Sequence, residues 1–126
     1  MGTNVIVPDD VALADAFVGV AQEELQLIEK ALAAVEKQRF ERGREDVVFA
    51  AYVYGEANAK SLSEAKKRTA RANREAVDAV LAVCQRTRYT DRITAVWDHD
   101  PGNADVAEAL KGALHDVEAL LAKLAA

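Results

Sequence analysis

The sequence predicts an all-α fold: a single domain over residues 1–126, with about four helices in an antiparallel bundle whose first and last helices are long. Apolar residues recur at alternating spacings of three and four near both ends of the chain, as they do on one face of a helix. Alanine is abundant, and only two prolines and six glycines occur among the 126 residues, which favours helices over a sheet. No segment alternates convincingly between apolar and polar residues, as a half-buried strand would.

The first helix is predicted to follow Pro8, with Asp9 and Asp10 capping its N-terminus. Its apolar seam keeps heptad spacing through Val11, Ala14, Val18, Ala21, Leu25, Ile28, Leu32 and Val35. A second line of apolar residues lies beside the seam and widens the apolar face to that of a bundle helix. It consists of Leu13, Phe17, Val20, Leu27, Ala31 and Ala34. The seam stops at Arg39, and we expect the helix to end within RFERGRED, where Gly43 suits a C-terminal cap.

The stretch DVVFAAYVYG, residues 46 to 55, contains eight consecutive apolar residues, many of them β-branched or aromatic. Periodicity does not distinguish a buried strand from a buried helix in such a run. A lone strand has no partner elsewhere in this sequence, so we predict a buried second helix from residue 45 to about residue 59.

A third helix is predicted from Leu62 to about Thr87, because Ser61 and Glu64 have the spacing of a capping box. Its core-facing residues are expected to be Val77, Val80, Leu81 and Cys84. Since no proline separates the second and third predicted helices, one continuous helix through Gly55 is the alternative.

Residues 88 to 103 are the least regular part of the chain. A short helical turn there would place three apolar residues on one side: Ile93, Val96 and Trp97. It would also bring the indole of Trp97 into the bundle. The last helix is predicted after Asn103. Its seam again has heptad spacing and consists of Val106, Leu110, Ala113, Val117, Leu120 and Leu124, with Leu114 and Leu121 beside it.

The stretch VWDHDPGNADV, residues 96 to 106, concentrates three aspartates and His99 around a Pro-Gly pair. We interpret Asp100–Asn103 as a type II β-turn in which Gly102 takes a positive φ and the asparagine caps the last helix. The alternative is a metal site, but a calcium-binding EF-hand loop counted from Asp98 fails at three positions. The sequence favours the turn and cap, and predicts no metal and no cofactor.

Residues 60 to 74, KSLSEAKKRTARANR, carry a local charge of +5 in a chain of net charge −5. Such a basic helix can hold a phosphate, a nucleic acid or an acidic partner, although Tyr52 and Tyr54 belong to the apolar run and are not expected to supply stacking. The predicted anion- or partner-binding residues are Lys60, Lys66, Lys67, Arg68, Arg71 and Arg74. The alternative is a solvated face, or one that pairs with four acidic residues of the first helix: Asp15, Glu23, Glu24 and Glu29.

Evidence for catalysis is slight. Arg92 and His99 have the spacing of the Arg-x6-His pair that HEPN-type RNases use, but a chain with nine arginines and two histidines produces such a pair readily by chance. The sequence contains no nucleophile-base-orienter set and no glycine-rich phosphate loop. An enzyme is therefore not the favoured hypothesis.

Compartment and membrane signals are also sparse. The single cysteine, Cys84, cannot form an intramolecular disulfide, and no apolar run approaches the roughly 20 residues that span a bilayer. The N-terminus has neither the basic start nor the long apolar stretch of a signal peptide. We expect a cytoplasmic protein without membrane association.

Taken together, the seams favour a small structural, adaptor or regulatory module that acts by protein–protein interaction, either as a homo-oligomer or with other protein partners. Coiled-coil-like seams of this kind can pack within one chain or between chains. The second hypothesis is nucleic-acid or acidic-ligand binding through the basic helix, residues 60–74. The third is an HEPN-like RNase that uses Arg92 and His99.

Overall fold

The chain folds into four α-helices in a computed structural model that describes the backbone of residues 6–125 and the side chains of residues 13–125. The helices are α1 (Ile6–Val53), α2 (Ala59–Arg86), α3 (Thr90–Thr94) and α4 (Ala104–Ala125). No strand occurs in this part of the chain. The predicted all-α fold of four helices is confirmed.

The central helix of the bundle is α1, and α2 and α4 both pack against it, while α3 lies between α2 and α4. The hydroxyl of Thr69 in α2 donates to the backbone oxygen of Glu41, and Arg86 at the end of α2 pairs with Glu23. These contacts show that α2 runs antiparallel to α1. Because α4 starts beside Gln38 and follows the buried part of α1 toward its N-terminus, α4 is antiparallel to α1 as well.

The first helix is longer than predicted and absorbs the predicted second helix. It begins at Ile6, ahead of the expected capping aspartates, and passes through Gly43 without a break. A glycine inside a helix costs only about 1 kcal/mol relative to alanine, so packing can outweigh it. The run from Val47 to Tyr54 was also expected to be buried, and this was wrong. In this region α2 covers one face of α1, and the large side chains on its other faces stay exposed.

A tight turn separates α1 from α2. The N–H of Glu56 donates to the oxygen of Ala51 (2.7 Å) and the N–H of Gly55 to that of Tyr52 (3.1 Å), the hydrogen-bond pattern of a Schellman motif. Gly55 has a φ of 78°, which explains why a glycine stands there. The side chain of Asn58 then accepts the N–H of Ser61 at 2.8 Å and caps α2. The continuous helix and the capping box on Ser61 were therefore wrong.

The core follows one line of residues along α1, which we call the α1 stripe. Its members alternate at spacings of four and three, and are Phe17, Ala21, Glu24, Ile28, Ala31, Val35, Gln38, Arg42, Glu45, Phe49 and Tyr52. The middle of the stripe, from Ala21 to Gln38, is buried. It packs against buried residues of the other helices, notably Ala76, Val80 and Val83 of α2, Ile93 of α3, and Val106, Leu110, Ala113 and Val117 of α4. The predicted α4 seam is thus in the core up to Val117.

The turn before α4 closes against the α1 stripe. The N–H of Asn103 donates to the oxygen of Asp100, and the Asn103 side chain accepts the N–H of Asp105 at 2.8 Å, which confirms the turn and the cap. The turn is not type II, because the positive φ (70°) belongs to His99 and not to Gly102. Gly102 is needed for another reason: a Cβ there would lie 2.5 Å from Oε1 of the buried Gln38.

Two glycine substitutions should change stability in opposite directions. Gly102→Ala should lower the free energy of unfolding by about 1–3 kcal/mol, because its methyl group collides with a buried amide. Gly43→Ala should raise it by about 0.5–1 kcal/mol, because alanine is the better helix former and nothing lies within 4 Å of that position. Urea unfolding of both variants measures this, and equal shifts in the two would contradict the described contact.

Candidate functional site

The helices of the bundle differ greatly in length. With 48, 28 and 22 residues, α1, α2 and α4 are about 72, 42 and 33 Å long at 1.5 Å per residue. α2 ends beside Glu23, and α4 starts beside Gln38. Because neither helix covers the whole of α1, the α1 stripe is open at both ends.

The proximal end of α1 extends past the end of α2. Leu13, Phe17 and Val20 lie at spacings of four and three, and their exposed fractions are 56%, 51% and 49%. Because α4 has 22 residues and begins beside Gln38, its last turn runs alongside Phe17. At this end, within residues 6–125, α1 and α4 form a two-helix layer without a third helix. We call these three exposed side chains the proximal patch.

The distal end shows the complementary arrangement. The distal hairpin, residues 39 to 74, consists of the last part of α1, the turn and the first half of α2, and it extends past the start of α4. Phe49 and Tyr52 continue the α1 stripe there with exposed fractions of 53% and 42%, and Val53 beside them is 60% exposed. These side chains occupy the register of core residues but lack the cover that α4 gives farther down.

A groove runs between the two helices of the distal hairpin, in line with α4. Its upper half is lined by Tyr52, Ala59, Leu62, Ser63, Lys66, Lys67 and Ala70. Its lower half shares Lys66 and Ala70, and ends at Gln38, Arg42, His99 and Asp100. Phe49 lies one turn from both Glu45 and Tyr52 on the same face of α1. We call this the distal groove; it is shallow and open to solvent, and its two halves have volumes of about 420 and 460 Å³.

The six basic residues predicted to bind an anion or partner are all on the distal hairpin and all exposed. Within the described part of the chain, none of them forms an ion pair with a carboxylate. Helical spacing places Lys60, Lys67, Arg71 and Arg74 on the outer face of α2, opposite its buried residues. Lys66 lines the distal groove, and Lys67, at the border of the outer face, lines its upper half as well. Arg68 lies on the other side, near Lys37 and Glu41. Their binding role stays a prediction.

The acidic residues of α1 are engaged elsewhere. Glu23 pairs with Arg86 at 2.6 Å, and Glu24 pairs with Arg88 at 2.7 Å. Asp15 and Glu29 form no ion pair with a described residue. The alternative in which these carboxylates neutralise the basic helix was therefore wrong. The only α1–α2 ion pair near the basic stretch joins Lys37 to Glu75 within the described residues.

The aspartates of VWDHDPGNADV hold the turn together. Asp98 accepts hydrogen bonds from the Asp100 N–H (3.1 Å) and the Asn103 side chain (3.0 Å), while Asp100 accepts the Gly102 N–H (2.9 Å). Arg42 donates to Asp100 at 3.1 Å and fastens the turn to α1. Among the described residues, no group of three or more His, Cys, Asp and Glu side chains is placed to hold a metal ion.

Arg92 and His99 have different surroundings. Arg92 pairs with Asp116 of α4 and lies over the ring of Tyr89, 5.3 Å from its centroid. His99 packs edge-on against Trp97, with ring centroids 6.0 Å apart, and lines the lower half of the distal groove. The two side chains therefore share no partner among the described contacts.

The most deeply buried charge belongs to Glu24, on the α1 stripe. Arg88 donates to this carboxylate from its backbone N–H (2.8 Å) and from its guanidinium (2.7 and 3.2 Å). Burial by itself raises the pKa of Glu24, but the hydrogen bonds and charge of Arg88 together hold the pKa below its ordinary value. This pair anchors the segment after α2 to α1, and sequence periodicity gave no sign of it.

Comparison with known proteins gives no family. No protein-family model matches the chain, and neither the curated proteins nor the solved structures contain a match to it. No described helix is long and apolar enough to cross a membrane.

The Glu24–Arg88 pair predicts a pH-dependent stability. Arg88→Gln should lower the free energy of unfolding by about 2 kcal/mol at neutral pH, because a buried carboxylate loses its counter-charge. In the native protein the lowered pKa of Glu24 contributes stability above its ordinary pKa, which is lost as the pH falls through the lower folded-state value. Without Arg88, burial raises that pKa, so the difference between the two proteins should shrink as the carboxyl protonates.

Urea unfolding at several pH values between neutral and acidic would measure this. The matched control is Arg86→Gln, since Arg86 and its partner Glu23 are each 57% exposed and such pairs contribute little. A loss in Arg88→Gln that is independent of pH, or no greater than in Arg86→Gln, would show that Glu24 does not depend on Arg88.

Proposed function

We propose that the protein is an interaction module that binds helices of other polypeptide chains on the uncovered ends of α1. The observation that carries this proposal is the continuation of the α1 stripe beyond the helices that cover it, at both ends. Exposed apolar surface in the register of a core is typical of a bundle that is completed by a partner. Self-assembly and protein partners both use this kind of surface.

The amount of exposed surface reflects the unequal lengths of the helices. The chain exposes 8062 Å², whereas a compact monomer of its mass, 13.6 kDa, exposes about 6,600 Å². An excess of roughly 1,500 Å² is expected of a chain in which one helix is much longer than the helices packed on it, and it includes polar as well as apolar surface.

The proximal patch suits a second copy of the chain. Between Leu13 and Gln22 the only charged residue is Asp15, so two identical patches can meet with little repulsion. Ala16 and Gly19 are exposed small residues that allow a second helix to approach closely. We therefore propose a homodimer through the proximal patch, formed in the cytoplasm, where the lone, half-buried Cys84 stays reduced.

The molar mass in solution tests the proposed dimer. Light scattering after size exclusion should give about twice the chain mass of 13.6 kDa at low and high salt, because apolar contacts resist screening. Phe17→Ser should shift the mass to that of one chain. Phe40→Ser is the matched control, since Phe40 is 66% exposed but lies outside both the α1 stripe and the proximal patch. A wild-type monomer, or equal effects of the two substitutions, would contradict self-assembly at this patch.

A second candidate function is nucleic-acid binding by the outer face of α2. It is favoured by the exposed cations of residues 60–74, which pair with no carboxylate of the described chain, and by Tyr54 (81% exposed) in the turn before α2, an aromatic side chain that can stack on a base. Lys67, Arg71 and Arg74 lie together on that outer face and can contact successive phosphates.

The triple variant Lys67→Gln, Arg71→Gln and Arg74→Gln tests this candidate. If the outer face binds phosphates, affinity for a single-stranded oligonucleotide should fall steeply with salt, and the triple variant should reduce the log–log slope by about 2–3. The matched control removes three cations outside the distal hairpin: Lys30, Lys111 and Lys123. No measurable binding by the wild type, or equal loss in both triple variants, would eliminate the outer face as a nucleic-acid site.

A further inference from the structure

We infer that the distal groove binds an acidic amphipathic helix from a different protein, seated in line with α4. This inference rests on the proposed function, in which the uncovered ends of α1 bind helices. It specifies the type of helix that binds at the distal end. The other candidate occupants are a second copy of this chain and a nucleic acid.

The shape of the groove fits a helix of about four turns. The lower end is closed by His99 and Asp100, just before α4 begins. From Gln38 beside this closed end to Val53, α1 continues for 15 residues, or about 22 Å. A partner helix of about 15 residues bound in this groove would continue the layer that α4 forms beside the middle of α1. It would pack on the same α1 stripe.

The floor of the groove supplies the apolar contact that such a helix needs. Tyr52 lines one wall, and Leu62 and Ala70 line the other. Phe49 lies between Glu45 and Tyr52 on the α1 stripe, so helical spacing places it at the edge of that first wall. Leu62 is only 9% exposed, whereas Phe49 is 53% exposed, so the groove has a buried base and an uncovered aromatic rim. An amphipathic helix buries its apolar face in grooves of this kind, with side chains one turn apart as anchors.

The charge of the groove decides which helix it takes. The upper half is lined by Lys66 and Lys67 and by no acidic residue. Neither lysine pairs with a carboxylate of the described chain. The distal hairpin as a whole has nine basic and five acidic side chains. Aspartates or glutamates that flank the apolar face of a partner helix would meet these lysines, whereas a basic helix would be repelled.

The same lysines argue against the other occupants. A two-fold interface places the same patch on both subunits, so two distal grooves would bring four lysines together, whereas the groove's carboxylates, Glu45 and the Arg42-bound Asp100, lie in its lower half. A nucleic acid is held by phosphate contacts and leaves an apolar floor uncovered, and Lys60, Arg71 and Arg74 lie on the outer face of α2 and do not line the groove. An acidic amphipathic helix satisfies both the floor and the lysines.

The test uses two synthetic helical peptides of about 18 residues with leucine at heptad positions and a fluorescent label. One carries glutamate at the flanking positions and the other carries lysine. Fluorescence anisotropy with the full chain should show binding of the glutamate peptide, weakened about tenfold or more by Lys66→Glu and by Phe49→Ser, and weakened by salt. Arg74→Glu, with the same charge change on the outer face of α2, should have little effect.

A charge swap makes the result specific. The double variant Lys66→Glu and Lys67→Glu should bind the lysine peptide in preference to the glutamate peptide. Equal binding of the two peptides by the wild type would overturn the inference, as would equal weakening by Lys66→Glu and Arg74→Glu. Failure of the glutamate peptide to bind the wild type would overturn it too.

Peptide binding and molar mass together distinguish failure of this inference from failure of the proposed function. If neither peptide binds but Phe17→Ser still converts a dimer to a monomer, the protein is an assembly module and only the occupant of the distal groove was misassigned. If neither peptide binds and Phe49→Ser lowers the molar mass, the occupant is a second copy. If neither peptide binds and the wild type is a monomer, both proposals fail.

Discussion

The length of α1 is the constraint on which the rest of the structure depends. A helix of 48 residues, about 72 Å long, is roughly twice the length of the helices that pack on it, so no single bundle layer can cover it. No proline interrupts it after its first turn, and Gly43 alone does not break it. Because α2 starts near one end and α4 stops near the other, each leaves a different end of α1 open. The exposed apolar surface follows from this offset.

Polar residues on the α1 stripe determine how far α2 and α4 cover α1. Glu24 accepts three hydrogen-bond donors from Arg88 and so fixes the point at which the chain leaves α2 and turns back. Gln38 packs against Gly102, and Arg42 holds Asp100, which together fix the start of α4. A buried carboxylate without a partner is costly, so these contacts specify the arrangement as well as stabilise it.

The charges of the chain are segregated along the same axis. The distal hairpin carries a net charge of +4, so the rest of the chain carries −9. Among the described residues, Arg42 is the one basic residue of the distal hairpin that pairs with a carboxylate, that of Asp100, while the proximal patch consists of apolar side chains. This segregation is the basis of the two proposals made above: an apolar, self-complementary surface can pair with its copy, and an apolar groove flanked by lysines favours an acidic helix.

The sequence by itself determined the helical class, the seam of α4, the short α3, the cap at Asn103 and the basic stretch, because each depends on residues close together in the chain. Only the tertiary structure decided which apolar side chains are covered. Periodicity tells which residues share a face, but not how far a neighbouring helix extends along that face, so Phe17 and Phe49 look like core residues and are exposed. The tertiary structure also determines that Glu24 is buried. Its partner Arg88 lies 64 positions away in the sequence, so no local pattern indicates the pair.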